Sequence, residues 1–506
     1  MPSADNKRIA KNTMFLYIRM LLSIGVNFYT VRVIWQVLGV DNYGIYNVVG
    51  GIVLMFAFLQ NAMIASSQRF ISFELGKGVT GNLQKVFSLS LTVHFLLALI
   101  ILVLAETIGL WFLNYKMNIP TDRMMAANWV YQCSILAFCV SVISVPYSAS
   151  IVAHEHMKAY GYFGIIDVVL RLLIVLALIV IPFDKLIVYA ILVLCVSLIM
   201  RLINSLYCRR YFSSCHYKYY KDKHLIKDML SFAGWSFIGN MGFSVRDQGL
   251  NILINLFFNV AVNAAKGVAS QVGGVVYGFA SSFQMAINPQ ITKQYAAGNK
   301  GEMMKLVFTG CRFSVILMMF IAIPLVMSAE PVLKIWLGDV APFTVGFLQL
   351  SLTIALIDSI VGPITTALQA IGKIKKFQIV ISIIMVLNIP LAWIWLHFGG
   401  SPYSVMFVSI FTSLIAILAR LLLLKEQLDY SLRLFFFKVV LPLLLTFGVA
   451  APCGYFLFPC FPHNIFGLLL YGLSTVSVTA FSALFIGLTR NERVLVRRGI
   501  SKYLHI

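Results

Sequence analysis

Eight ionisable side chains could do chemistry in this sequence: the cations Arg19, Arg32, Arg171, Arg246 and Lys266, and the carboxylates Asp167, Asp247 and Asp358. Each lies within or at the mouth of an apolar stretch. There a charge is costly unless it meets a partner or a water-filled space. A guanidinium in such a place suits a phosphate, because its planar fork matches two oxygens at once. A lone carboxylate there is protonated, paired, or the seat of a cation. Catalytic chemistry is not indicated, and no Cys or Cys/His spacing suits a metal. GKGVTGN from Gly76 lacks the lysine of a P-loop, so ATP hydrolysis by that route is excluded.

Asp167 and Arg171 are four residues apart and share one helical face. Two readings stand: a cavity-lining pair whose arginine switches to a phosphate, or a structural pair that locks two helices. Arg246 and Asp247 are adjacent, hence about 100° apart on a helix and poorly placed to share a partner. Arg246 is expected to face a cavity and Asp247 a neighbouring helix. Arg19 and Arg32 sit on one helix with faces about 140° apart, so at least one is a cavity residue or both snorkel. Asp358 either couples transport to Na⁺ or H⁺ or pairs with Arg171 or Arg246. Arg312 is expected to snorkel, Glu106 to be wetted, and His154, Glu155 and His156 to form a solvated turn.

These residues need helices to hold them. The chain has 506 residues, 60% hydrophobic and 11% charged, with a mean hydropathy of +0.90. That composition excludes a soluble globular enzyme and a disordered chain alike. Apolar segments fall at about 12–38, 44–68, 86–112, 126–150, 160–182, 186–207, 230–257, 263–288, 306–328, 344–370, 377–398, 403–424, 436–458 and 465–488, each able to span about 30 Å as a helix. The expected fold is an all-α polytopic membrane protein of about fourteen crossings. Pro146, Pro324, Pro363 and Pro390 are expected to interrupt their helices. The glycines from Gly267 to Gly278 suit close helix packing.

The net charge of +21 does not signal nucleic acid, because the basic residues lie between apolar segments. One set of connections holds only Lys116, Arg123, Lys185 and Lys334. The alternate set holds most of the rest, including Lys158, the run from Arg201 to Lys227, Lys373 to Lys376, and Arg420 to Lys438. This alternation places both termini in the cytoplasm, and no cleavable signal follows the first basic residues. The cysteines read as buried packing, with Cys453 and Cys460 a candidate pair.

Two stretches recur. Ile71, Gly78, Gly81 and Lys85 return as Ile291, Gly298, Gly301 and Lys305, 220 positions on. Ile143, Pro146, Ala153 and Lys158 return as Ile360, Pro363, Ala370 and Lys375, 217 positions on. A unit of six helices begins and ends on one side, so the copies are parallel repeats. The expected division is a six-helix lobe over 1–207, a basic cytoplasmic connector over 208–229, a second lobe over 230–430, and two further helices with a tail over 431–506.

LGVDNYGIY from Leu38, VPYSASIVAHEHMKAYGYF from Val145, NAAKGVASQV from Asn263 and NPQITKQYAAGN from Asn288 resemble the polysaccharide exporters and lipid-linked oligosaccharide (O-antigen-type) flippases of the multidrug/oligosaccharidyl-lipid/polysaccharide (MOP) superfamily. The resemblance covers about residues 5–430. It implies two pseudo-symmetric, MATE-like lobes around a cationic cavity that passes a headgroup while the lipid tail stays in the bilayer. Arg19, Arg32, Arg171, Arg246 and Lys266 would then contact the diphosphate and sugar. The expected protein is a flippase of the bacterial inner membrane. It would move an undecaprenyl-diphosphate-linked oligosaccharide outward by alternating access for O-antigen or capsule assembly. Its partners would be that substrate, membrane lipids and the polysaccharide polymerase machinery. No cofactor is expected beyond a coupling Na⁺ or H⁺. The alternative is a cation-coupled multidrug exporter of the same fold; short outer connections disfavour an enzyme.

Overall fold

The computed structural model describes residues 12–26, 57–78, 81–115, 119–258, 260–337, 340–428, 430–462, 464–489 and 492–493, with isolated residues between 29 and 49. Each of the fourteen expected segments holds helix within those residues. In chain order they are α1 Asn12–Val26, α2 Ala57–Gly76, α3 Leu83–Leu104, α4 Met124–Ala153, α5 Met157–Val180, α6 Lys185–Tyr211, α7 Lys223–Phe257, α8 Val260–Ala296 and α9 Lys300–Met327. Then follow α10 Thr344–Asp358 and α11 Val361–Ile371, two halves of one crossing, and α12 Ile374–His397, α13 Ser404–Leu428, α14 Leu441–Leu457 and α15 Ile465–Ser482. Ten spans are long and apolar enough to cross a bilayer among the described residues. The protein is an all-α polytopic membrane protein.

By its internal contacts the chain divides into two compact units, the first from Arg8 to Phe237 and the second from Ile238 onward. The first is organised around α4, whose Val130, Tyr131, Ile135 and Val142 are fully buried against α3 and α6. The connector is part of this unit. Lys218 N–H donates to Ser88 Oγ at 3.1 Å, Lys85 pairs with Asp222 at 2.6 Å, and Cys215 is buried. The second unit packs α8, α9 and α10 around Met318, Phe347 and Leu352.

The internal repeat is visible in the backbone. The turns from α2 to α3 and from α8 to α9 each use a glycine at positive φ, Gly78 at 61° and Gly298 at 80°. The turn from α4 to α5 and its counterpart from α11 to α12 also share a left-handed residue. It is Gly372 (φ 87°) in the second unit but Glu155 (φ 61°) in the first. A side chain in that conformation costs about 1–2 kcal/mol.

Of the four prolines expected to break helices, Pro363 alone coincides with a break. Pro146 and Pro390 lie inside continuous helices, and Pro324 precedes the end of α9 by one turn. Proline has no N–H, so Pro363 frees the carbonyl four residues back, that of Ser359. Gln284 Nε2 of α8 donates to it at 2.8 Å. Gly362 admits that amide: a Cβ there would lie 2.0 Å from Gln284 Oε1. Cys453 and Cys460 are free thiols rather than a disulfide. Nor is the turn at Glu155 solvated. Glu155 is buried, His154 stacks on Phe212 at 4.0 Å, and His156 shares a hydrogen bond with Tyr207 at 2.9 Å.

Candidate functional site

In the first unit Arg171 Nε donates to Asp167 Oδ2 at 3.0 Å along α5, as their spacing requires. Apart from Ile179, the exposed large apolar residues of α5, Tyr162, Ile166, Val169, Leu173, Leu176 and Val180, form one stripe. Helical geometry puts Asp167 and Arg171 about 140° to 180° round from it. The pair therefore turns away from lipid, yet its side chains keep 31% and 44% of their surface accessible. Both groups can meet water or a solute.

Arg19 of α1 lies over the ring of Tyr160 at 4.7 Å, and its side chain passes where a Cβ on Gly164 would sit. Gly161 likewise lets α1 approach α5 through Phe15. Arg32 lies outside the described residues. Towards the opposite end, Arg123 donates to Asn42 Oδ1 at 2.5 and 3.1 Å and to Asp184 at 2.7 Å. Asp184 also caps α6 through the N–H of Leu186 and Ile187. Asn42 belongs to the LGVDNYGIY phrase, so that phrase has a structural role in tying three connections of one unit together.

In the second unit Arg246 Nε donates to Asp247 Oδ1 at 2.9 Å. The two neighbours pair with each other, against the expectation drawn from their angular separation. A long arginine stem folds back along its own turn and closes that gap. Asp247 is the accessible member, with 60% of its side chain exposed against 11% for Arg246. The guanidinium also reaches Met385 Sδ at 3.5 Å. Lys266 is buried and donates to Asn251 Oδ1 at 2.6 Å, so α7 supplies partners to both cations.

Asp358 stands at the break between α10 and α11, where the backbone turns at Ser359 and Ile360. It feels Arg246, Arg420 and Asp247, and among the described residues no cation comes within ion-pair distance of it. Arg171, a proposed partner, is engaged with Asp167 instead.

Two cations escaped the sequence reading, which assigned them to connections. Arg201 lies inside α6 over the ring of Tyr147 at 4.5 Å, with a buried Nη1 that has no partner among the described residues. Arg420 lies inside α13, 3% exposed, between the rings of Phe243 and Phe377 at 6.0 Å each, with Nε likewise unpartnered. The signal was present, because 201 and 420 differ by 219, within the offsets of the internal repeat. Arg312 does not snorkel. It is buried in α9, ion-paired with Glu492 and donating to the Lys438 carbonyl at 2.6 Å. Among the described residues no cluster could hold a metal ion.

Residues 236–394 match the MatE family model. Over the length of the chain the similarity is structural. A MATE captured in a complex superposes with a TM-score of 0.74 at 12% identity, covering 84% of this chain and 97% of its own. The chain has the MATE fold. An outward-facing multidrug resistance MATE of the MOP superfamily gives 0.69 at 13% identity, with the same coverages of 84% and 97%. A MOP superfamily transporter from Pyrococcus furiosus, described as having a binding pocket of reversed polarity, gives 0.66 at 14%, again over 84% and 97%. No curated protein sequence matches the chain.

Proposed function

We propose that this MATE-fold protein is a transporter that moves an anionic, lipid-linked solute across the bacterial inner membrane, the best fit being an undecaprenyl-diphosphate-linked oligosaccharide flipped outward for surface polysaccharide assembly. The observation that carries the reading is the charge of the helix interiors. Arg171, Arg201, Arg246, Lys266 and Arg420 stand against Asp167, Asp247 and Asp358, and two of the guanidinium groups keep a buried N–H without a partner among the described residues. A surplus of cations inside the helices is costly unless an anion visits them. Diphosphate oxygens would supply that anion in bidentate geometry. Two negative charges moving outward down a membrane potential gain about 2.3 kcal/mol per charge per 100 mV, so export needs no nucleotide. Asp358, at a broken helix, is the residue proposed to take Na⁺ or H⁺ when the carrier resets. The Pyrococcus furiosus structure, whose reversed pocket polarity is said to suggest a different function, has this fold with a pocket of another polarity.

The second reading, a cation-coupled multidrug exporter, rests on the accessible carboxylates Asp167 and Asp247. A vesicle assay separates the two. With purified protein, labelled lipid-linked diphospho-sugar should cross faster than in protein-free vesicles, and organic cations should neither cross nor compete. Efflux of organic cations without movement of the lipid-linked sugar would replace the first reading with the second.

A further inference from the structure

The connector after α6 is held against α3. From His216 to Asp222 it runs without helix and is tied to one row of that helix, Gln84, Ser88 and Thr92. Gln84 Nε2 donates to the His216 carbonyl at 3.3 Å, and the Lys218 N–H donates to Ser88 Oγ at 3.1 Å. The hydroxyls of Tyr217 and Thr92 share a hydrogen bond at 3.4 Å, and Asp222 closes the far end on Lys85 at 2.6 Å. We propose that this strap lies in the headgroup layer of the bilayer and binds the phosphodiester of an anionic phospholipid through Lys218 and Lys221, with the acyl chains of that lipid on α3. The site is separate from the transport residues and does not depend on which solute is carried.

Three observations lead there. The first is depth. Thr92 lies about 13 Å along α3 from Leu83. The exposed apolar face of the same helix, Phe95, Leu96, Leu99, Ile100 and Val103, begins one turn later, and helical geometry puts Thr92 within its angular range. Tyr217, 52% exposed, therefore bonds to α3 where that helix first meets hydrocarbon, the depth of an aromatic belt.

The second is charge. Arg209, Arg210, Lys218, Lys221, Lys223 and Lys227 are all exposed, and none has an ion-pair partner among the described residues. The carboxylates of the same stretch are engaged, Asp222 with Lys85 and Asp228 with His224 at 3.2 Å. Such a juxtamembrane surface attracts anionic headgroups and gains little from a zwitterion. The third is the neighbourhood of the lysines. A soluble phosphate or an acidic protein would meet them without covering the apolar face of α3. A phospholipid brings phosphate and chains together, as the strap brings cations to the start of an exposed apolar face.

Photolabelling of the full chain in phosphatidylcholine nanodiscs tests the proposal. A trace of phosphatidylglycerol or phosphatidylcholine carries a diazirine on its acyl chain, and the labelled peptides are mapped. Phosphatidylglycerol should label α3 between Phe95 and Val103 about tenfold more than phosphatidylcholine, within what two surface lysines supply. Lys218→Gln with Lys221→Gln should remove that preference at an unchanged melting temperature, whereas Lys218→Arg with Lys221→Arg should keep it. Glycerol 3-phosphate, which has the phosphate without the chains, should compete poorly. Equal labelling by the two lipids, an undiminished preference in the folded Gln variant, its loss in the folded Arg variant, or competition by glycerol 3-phosphate as effective as by unlabelled phosphatidylglycerol would each overturn the proposal. Labelling of α3 by neither lipid would assign the strap to a soluble partner and overturn it as well.

Discussion

Arg312 and Glu492, 180 residues apart in the chain, form a buried ion pair that fastens the segment after α15 to the middle of α9. Glu492 also accepts from the N–H and hydroxyl of Thr489 at 2.9 and 2.8 Å, and Thr309 adds a hydroxyl at 2.9 Å. The carboxylate is thus surrounded by donors, and the guanidinium by two acceptors. Removing one member leaves the other buried and charged. Arg312→Ala should therefore cost about 3–5 kcal/mol, whereas a joint Arg312→Met and Glu492→Leu change should cost far less. Denaturation in detergent measures both. Equal stability of the single and double variants would show that the pair is not coupled.

The same pair sets an acid limit. Burial pushes the Glu492 carboxyl up, but Arg312 and the Thr489 donors outweigh it and hold it below its usual 4.5. A carboxyl lowered by folding contributes stability above its unfolded value, and that contribution is lost as pH falls through the folded one. Wild-type melting temperature should fall below about pH 4.5 more steeply than that of the Met/Leu double variant. Parallel curves would assign acid loss to other groups.

Asp184 behaves in the same direction for a different reason. Burial raises its carboxyl, while Arg123 and the capping N–H groups of Ile187 and Leu186 bring it below the ordinary aspartate range. Asp184→Ala removes a partly exposed ion pair and a helix cap together, an expected loss of about 1–2 kcal/mol. Arg123→Ala should cost less, because the cap survives. If Arg123→Ala proved the more damaging, the tie to Asn42 would be the stronger part of the clamp.

Gln284 is expected to matter for the broken crossing rather than for a solute. Gln284→Leu keeps much of the bulk but leaves the Ser359 carbonyl without its donor, at a cost of about 1–3 kcal/mol. Gly362→Ala should destabilise comparably by crowding the same amide. Melting temperatures of both variants decide it, and loss of transport at unchanged melting would instead make Gln284 part of the site.

Under the proposed function, Arg171→Glu and Arg246→Glu should abolish transport in proteins that still fold and insert. Asp358→Asn should leave binding within about threefold and slow multiple turnover at least tenfold, because the amide mimics a protonated acid that can no longer exchange its cation. If Asp358 instead only offsets Arg420, the variant should melt lower and be rescued by Arg420→Met. Turnover and melting measured on one preparation distinguish the outcomes.

The crossings were legible because hydropathy is a one-dimensional property, and a helix that must satisfy its own backbone in lipid leaves little choice of structure. Gly78 and Gly298 were legible as matching positions of the internal repeat, and both stand at positive φ, which few other residues accept. Asp167 with Arg171 was legible because a helix sets i to i+4 neighbours. Arg312 was misread because its partner lies 180 positions away, and no local pattern points to it. Arg201 and Arg420 were misread because they were grouped with the basic runs that follow them, although the expected segments 186–207 and 403–424 already contain them and α6 and α13 continue past them as helices. Glu155 looked like a polar loop residue because its contact with Asn12 of α1, 143 positions away, leaves no trace in its own segment.

The pairing of Arg312 with Glu492 also imposes an order on synthesis. At roughly 5–20 residues per second, the 180 residues between them take about ten to thirty-five seconds to emerge. Throughout that interval α9 carries a guanidinium whose carboxylate has not been made, so a chain stopped anywhere before residue 492 holds an unbalanced charge inside its second unit. The ion pair thereby acts as a completion mark. Only a chain extended as far as Glu492 can supply the carboxylate that neutralises Arg312 of α9.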